Sequence, residues 1–276
     1  AVPLVQTYMG RATRLFRSAP GGPVHVARLG GFYDLSGYRH AHAWIGNTRG
    51  ICDHLLAGGM PPNRVHHIGN FVEPVPAPTE DDRQRIRRQL GLADEDWVLG
   101  FVGRLHVNKG LGDLLQALAS LPAHMDGATL RLLVVGEGPL GTQLRAQARE
   151  LGIDSRIVWT GWLDDPSGAY SAMDLFICPS RHEPLGNVIL EAWAHGLGVV
   201  STDAAGPCEL ITDGADGILT PVGDPGRLSA AIESCLRHGS GADLGEEGRG
   251  TLSRHHSAET VTNRYLELYD ALVALR

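Results

Sequence analysis

The chain has 276 residues, 43% hydrophobic and 20% charged, with a formal net charge of −7. That is enough sequence for one large domain or two small ones. The acidic balance, with no lysine or arginine run, argues against a nucleic-acid partner; no apolar stretch nears the roughly 20 residues that span a bilayer, and no secretory signal opens the chain.

The first residue is Ala1 rather than Met and leads straight into an apolar run, as a processed, engineered or truncated start would. Pro3-Leu-Val5, Pro23-Val-His-Val-Ala27 and Ala43-Trp-Ile45 read as strands, and the residues after Thr48, His54 among them, as a helix. Pro74-Val-Pro-Ala-Pro78 has the composition of a linker. From Asp96 onward strands and helices alternate. Trp97-Val-Leu-Gly-Phe-Val102 is an apolar run, residues 109–121 carry leucine and alanine at helical spacing, and Thr129-Leu-Arg-Leu-Leu-Val-Val135 is the next strand. A helix over 140–151, a strand at Arg156-Ile-Val-Trp-Thr160 and a short helix over 166–173 follow. Then come a strand in Asp174-Leu-Phe-Ile-Cys-Pro-Ser180, a helix ended by Gly196, and a strand at Gly198-Val-Val-Ser-Thr202. The closing helix, 257–276, has Ser257 as its N-cap and sets Val261, Tyr265, Tyr269 and Leu272 on one face.

Near-continuously apolar strands separated by helices imply a parallel sheet covered on both faces. The succession is that of an α/β doubly wound, Rossmann-like domain, which binds ligands beyond the carboxyl ends of its strands. Gly103, Gly136, Gly161, the loop over 181–187 and residues 203–206 all follow strands and should share that edge. The expected division is a partial first Rossmann-like domain at 1–72, with the helix over 257–276 packing on it, and a second such domain at 73–256. The first reads as the later half of its fold, the earlier half lying upstream.

Cys52, Cys178, Cys208 and Cys235 are scattered and form no C-x-x-C pair, so they read as reduced thiols of a reducing cytoplasm. His40-x-His42 and His66-His67 lack a second ligand pair, so no metal site is expected.

Glu183-Pro-Leu-Gly-Asn-Val-Ile-Leu-Glu191 is the most informative stretch. Two carboxylates bracket a glycine turn that enters an apolar helix. The free N–H groups at that helix start attract anions. A ligand with phosphates at one end and hydroxyls along its length suits such a site.

These segments resemble the GT-B glycosyltransferases, and within them the large retaining family 4. The resemblance rests on Gly103-Arg-Leu-His-Val-Asn-Lys-Gly110, Gly136-Glu-Gly-Pro139, Pro179-Ser180, the Glu183/Glu191 pair and Ala194-His-Gly-Leu-Gly-Val-Val-Ser-Thr202, in that order and each after an expected strand. It implies a GT-B fold of two Rossmann-like domains. It also implies transfer of a sugar, with retention, from a nucleotide diphosphate sugar to a hydroxyl acceptor, and no cofactor or catalytic metal. The acceptor is expected to be a glycan or lipid-linked precursor of cell-envelope polysaccharide or lipopolysaccharide. That would be a cytoplasmic activity, with peripheral contact at the inner face of the cell membrane.

The resemblance gives Arg104, Lys109 and Glu183 catalytic parts. A fixed guanidinium and a point-charge ammonium can hold a diphosphate and stabilise charge as it leaves, and Glu183 faces the donor sugar. Gly103, Leu163, Leu185, Gly186, Asn187, Val188 and Glu191 are the expected donor-binding residues, Glu191 taking the ribose hydroxyls. Trp159, Gly161, Trp162 and Leu163 are expected around the base, the tryptophans as packing rather than stacking groups. His195 reads as a helix C-cap, where an imidazolium is favoured. Arg11, Arg28 and Tyr33 are candidates for the acceptor side. The competing expectations are a nucleotide-sugar-binding module without activity and a GT-B sugar-nucleotide epimerase or hydrolase.

Overall fold

The computed structural model describes residues 2–274. Ala1, Leu275 and Arg276 lie outside the described residues, so the expected start and the last two positions of the closing helix fall there. The chain divides into two compact units, Ala1–Phe71 with Arg254–Arg276, and Val72–Ser253.

The first unit contains β1 (Leu4–Tyr8), α1 (Met9–Leu15), β2 (Val24–Leu29), β3 (Ala43–Gly46), α2 (Arg49–Ala57) and β4 (Val65–His67). The four strands are parallel and lie side by side in chain order. Alternate residues point to opposite faces. Ala27, Leu29 and Trp44 therefore pack on Ile51 and Leu55 of α2. Val24, Val26, Ala43 and Ile45 pack on Val261 and Leu268 of the closing helix, Ala258–Ala274, with Tyr265 and Leu272 beside them. Thr48 caps α2 by accepting the Ile51 N–H, and the Ser257 hydroxyl accepts the Thr260 N–H at the start of the closing helix. Two local expectations change. The first strand runs past Val5 to Tyr8 and leads directly into α1 through Met9 at φ +64°. Arg28 lies within β2, which continues to Leu29.

His25 is fully buried in this unit, its Nε2 2.8 Å from the Thr7 hydroxyl. Burial first, and then the neighbouring His40, His42 and Arg17, push its pKa down to about 4. The unfolded chain takes up this proton near pH 6.5, the ordinary histidine value, whereas the folded chain does not until about pH 4. Stability from this group is therefore complete above pH 6.5 and is lost as the pH falls through that window. Between pH 7.5 and 5 the wild type should lose about 2 kcal/mol more than His25→Gln in urea melts. Equal losses in the two proteins would refute the buried neutral imidazole.

The second unit runs α3 (Glu80–Gln89), β5 (Trp97–Val102), α4 (Leu111–Ser120), β6 (His124–Met125), β7 (Ala128–Val135), α5 (Gly141–Glu150), β8 (Ile157–Gly161), α6 (Ser167–Ala172), β9 (Leu175–Cys178), α7 (Asn187–Ala194), β10 (Gly198–Thr202), α8 (Ala205–Leu210), β11 (Ile218–Thr220), α9 (Pro225–His238) and α10 (Ser240–His255). Its parallel strands lie in the order β8-β7-β5-β9-β10-β11, with β6 antiparallel on β7. Counting the parallel strands along the chain, this is the 3-2-1-4-5-6 order of a doubly wound sheet. Leu99, Phe101, Leu132, Val134 and Ile177 face a layer built from α4, α5 and α9. Val98, Leu133, Val135 and Phe176 face the layer of α6 and α7. The proline-rich segment is tied to this unit: the Val75 N–H donates to the Ala194 carbonyl at 2.9 Å, and Arg249 donates to the Val75 carbonyl.

The strand order fixes where a ligand can enter. The chain leaves β5 for α4 on one face and leaves β9 for α7 on the other. Those adjacent strands flank the switch point, and their crossovers pass to opposite faces of the sheet.

Candidate functional site at the switch point

Glycines bring the loops of this edge together. Gly136, at φ +127°, lies so close to Gly103 that a β-carbon on it would sit 2.1 Å from the Gly103 carbonyl oxygen. The Gly136 N–H donates to Gly161 and the Gly103 N–H to Val135. A contiguous backbone seam therefore crosses the ends of β5, β7 and β8. On the other side, the loop after β5 meets the loop after β9: the Arg181 and His182 N–H groups both donate to the Asn108 carbonyl, at 2.8 and 3.1 Å. Arg181 also makes a two-pronged ion pair with Asp113 of α4, each bond 2.7 Å.

The candidate residues hang from this frame. Arg104 is exposed; its carbonyl accepts the His106 N–H at 2.8 Å, and among the described residues its guanidinium has no hydrogen-bond or ion-pair partner. Lys109 is half-buried and its ammonium pairs with the Glu183 carboxylate. Glu183 is only 8% exposed and also receives the Ser180 hydroxyl at 3.4 Å. The structure thus joins two candidates that the sequence presented as separate ligand contacts. Beyond Glu183, its carbonyl accepts the Gly206 N–H at 2.9 Å, and Gly206 packs against the Leu185 backbone with no room for a β-carbon. Gly186 takes φ +97° as the N-cap of α7 and offers no side chain to its first N–H groups. The amino end of α7, with Asn187 and Val188 in its first turn, therefore retains its attraction for an anion.

Glu191 lies one turn further on, half-buried, and its Oε2 accepts the Tyr170 hydroxyl at 2.8 Å. Tyr170 was not singled out from the sequence; nothing in the spacing of α6 distinguishes it from a packing aromatic. Leu163 and Val188 pack at the margin of the core beneath this edge. Trp159 packs on the opposite layer with Arg145 over its ring at 4.6 Å. Trp162 departs from its expected packing role: it is 69% exposed, because it lies in the loop after β8, where its indole N–H donates to Asp164. His195 is the C-cap of α7, its backbone N–H donating to the Glu191 and Ala192 carbonyls at 3.2 and 3.1 Å; burial and then Arg249 push its pKa down, against the imidazolium expected there, and the ring stacks on Tyr170.

In the first unit, Arg11 and Tyr33 share a cavity of about 450 Å³ with Gly10, Arg14, Asp34 and Tyr38. Arg28 is not part of that lining. Its guanidinium lies over the Tyr8 ring and donates to the Tyr265 hydroxyl and to Asn70. Among the described residues no cluster of three or more histidine, cysteine or acidic side chains could hold a metal, and the four cysteines form no disulfide. No helix of the described residues is long and apolar enough to cross a membrane.

Residues 96–238 match the family model described as glycosyl transferases group 1. The chain belongs to that family. It is 32% identical to the lipopolysaccharide core biosynthesis glycosyltransferase LpsE of Rhizobium meliloti (strain 1021), over 96% of this chain and 75% of LpsE. It is 30% identical to LpsD of the same organism, over 99% of this chain and 76% of LpsD. The fold matches the crystal structure of Anabaena HepE in complex with UDP and glucose, with a TM-score of 0.80 at 24% identity, over 90% of this chain and 72% of HepE. The chain is therefore a glycosyltransferase of the GT-B fold.

Proposed function

We propose that this glycosyltransferase draws its sugar from a uridine diphosphate sugar bound at the β5/β9 switch point and transfers it with retention to a hydroxyl of a lipopolysaccharide-core or related cell-envelope acceptor. The observation that carries this reading is that the exposed Arg104, the Lys109–Glu183 ion pair and the start of α7, whose Gly186 cap has no side chain, all lie on the loops that leave the carboxyl ends of β5 and β9. HepE was crystallised with UDP, and LpsE and LpsD are lipopolysaccharide-core enzymes by name; both facts support the donor and acceptor classes.

In this reading Arg104 and the first N–H groups of α7 grip the diphosphate, with Lys109 beside them. Glu191 takes ribose hydroxyls, the backbone near Leu163 meets the base, and Gly103 and Leu185 give the donor close approach to the main chain. Glu183 lies against the donor sugar. The bond from the anomeric carbon to the β-phosphate oxygen breaks as the acceptor oxygen bonds that carbon. The acceptor proton passes to the departing diphosphate, whose growing charge is held by fixed donors that need not reorganise. No metal or other cofactor takes part. The acceptor is bound by the first unit, through Arg11 and Tyr33, and the reaction takes place at the cytoplasmic face of the cell membrane.

A thermal-shift panel of UDP, GDP, ADP and their sugars tests the reading. A ligand at a hundredfold excess over its Kd adds about 2.7 kcal/mol of apparent stability. UDP compounds should give that shift, and Arg104→Ala and Glu191→Ala should each abolish most of it. Full shifts in both variants would remove the donor from this edge.

A further inference from the structure

Glu191 stands on α7 with three rotatable side-chain bonds and only partial burial. A free glutamate in that setting samples several rotamers, and a ligand that needs one of them must bear the ordering cost on binding. The structure removes that freedom from outside α7. The Tyr170 hydroxyl, from α6, donates to Oε2 at 2.8 Å. Tyr170 is itself 1% exposed. Its ring is held between His195, stacked at 5.1 Å and 17° from parallel, and Phe176 of β9, at 5.6 Å. A phenol clamped on two sides is a rigid donor, so the carboxylate it holds is fixed before any ligand arrives.

We infer that Tyr170 is a positioning residue for nucleotide recognition: it locks the Glu191 carboxylate in the orientation that reads a vicinal diol, and so lets the site prefer a ribonucleotide over its deoxy analogue. The inference rests on the proposed donor site and adds to it the means of sugar discrimination. The Tyr170 hydroxyl occupies one lone pair of Oε2, leaving Oε1 and the remaining Oε2 lone pair to accept two ligand hydroxyls. Burial, first, and the neighbouring Glu191 carboxylate push the phenol pKa well above its ordinary value. The phenol is therefore protonated, and a donor, at neutral pH. Support of this kind, from a group that never touches the ligand, is how a binding group is kept within the tolerance its geometry demands.

The test measures Kd by calorimetry for UDP and 2′-deoxy-UDP with wild type, Tyr170→Phe, Glu191→Gln and the double variant. Phenylalanine keeps the ring between His195 and Phe176 and deletes only the hydroxyl, so the fold should be retained. UDP binding should weaken roughly 3- to 10-fold in Tyr170→Phe, the cost of one unordered side chain, while 2′-deoxy-UDP binding changes far less. The ribo-over-deoxy preference should thus collapse, and in the Glu191→Gln background Tyr170→Phe should add nothing further. His195→Ala, which loosens the clamp, should shift the preference in the same direction by less. A Tyr170→Phe protein that keeps the wild-type preference, or that weakens both nucleotides equally, overturns the positioning role alone. A wild type that binds UDP no better than 2′-deoxy-UDP sinks the assignment of Glu191 to the ribose, and the inference with it.

Discussion

Glu183→Gln should lower turnover of the sugar donor by about 10²–10³-fold while UDP binds as tightly as before or tighter. Lys109→Ala should lose both, with UDP affinity down roughly 10- to 100-fold, as for a charge-assisted hydrogen bond to phosphate. The split follows from the ion pair. The Lys109 ammonium is held by a carboxylate that is almost wholly buried. Glutamine is nearly the same size and releases the ammonium for the diphosphate, so binding should not suffer. What glutamine cannot supply is a negative charge beside the sugar as positive charge grows on the anomeric carbon. The alanine variant does the reverse and leaves Glu183 buried without its cation, a change that costs about 3–5 kcal/mol where burial is complete and less here, since Lys109 is half-exposed. The assay pairs UDP calorimetry with release of UDP from the donor that the ligand panel selects. Parallel losses of UDP affinity and turnover in both variants would mean that Glu183 serves only to hold Lys109.

Most of the second unit could be read from its residues because its strands are buried on both faces. Runs such as Leu130 to Val135 have almost no polar member, and those of β5, β7 and β8 end at Gly103, Gly136 and Gly161. Strand order could not be read: it depends on which way each crossover passes, and no residue states that. Nor could α3. Its sequence, Glu80-Asp-Asp-Arg-Gln-Arg-Ile-Arg-Arg-Gln89, has one apolar side chain, so periodicity is silent. The available signal was electrostatic: Thr79 as a cap, three acids in the first turn and two arginines in the last. In α10 four glycines argue for a loop. Two of them instead permit close packing, Gly245 against the Gly196 carbonyl and Gly248 against the Trp193 ring. The candidate site was legible as a set of residues, because charged groups at strand ends stand out against apolar strands. Their pairings were not. Lys109 and Glu183 are 74 positions apart and Tyr170 and Glu191 are 21 apart; only the fold brings each pair together.

Gly110→Ala should be the most damaging small substitution at this edge, costing about 3–5 kcal/mol, or roughly 8–15 °C of melting temperature for a unit of this size. Two penalties combine. Gly110 takes φ +66°, where any residue with a β-carbon is strained. A β-carbon there would also sit 1.8 Å from the Pro179 carbonyl oxygen and 2.8 Å from its carbon. Both are backbone atoms, so no rotamer change relieves the clash and one of the two loops must move. Gly214 separates the penalties: it has φ +76° and nothing within 4 Å of its would-be β-carbon. Gly214→Ala should therefore show the conformational cost alone, about 1–2 kcal/mol. The excess at Gly110 measures the contact between the loops that carry Lys109 and Glu183. Because that contact sets the distance between the two side chains, UDP affinity should fall with stability in Gly110→Ala and be untouched in Gly214→Ala. Equal losses of stability at the two positions, read by urea melts, would mean that the loops after β5 and β9 do not meet at Gly110, and the ion pair they frame would then lack its support.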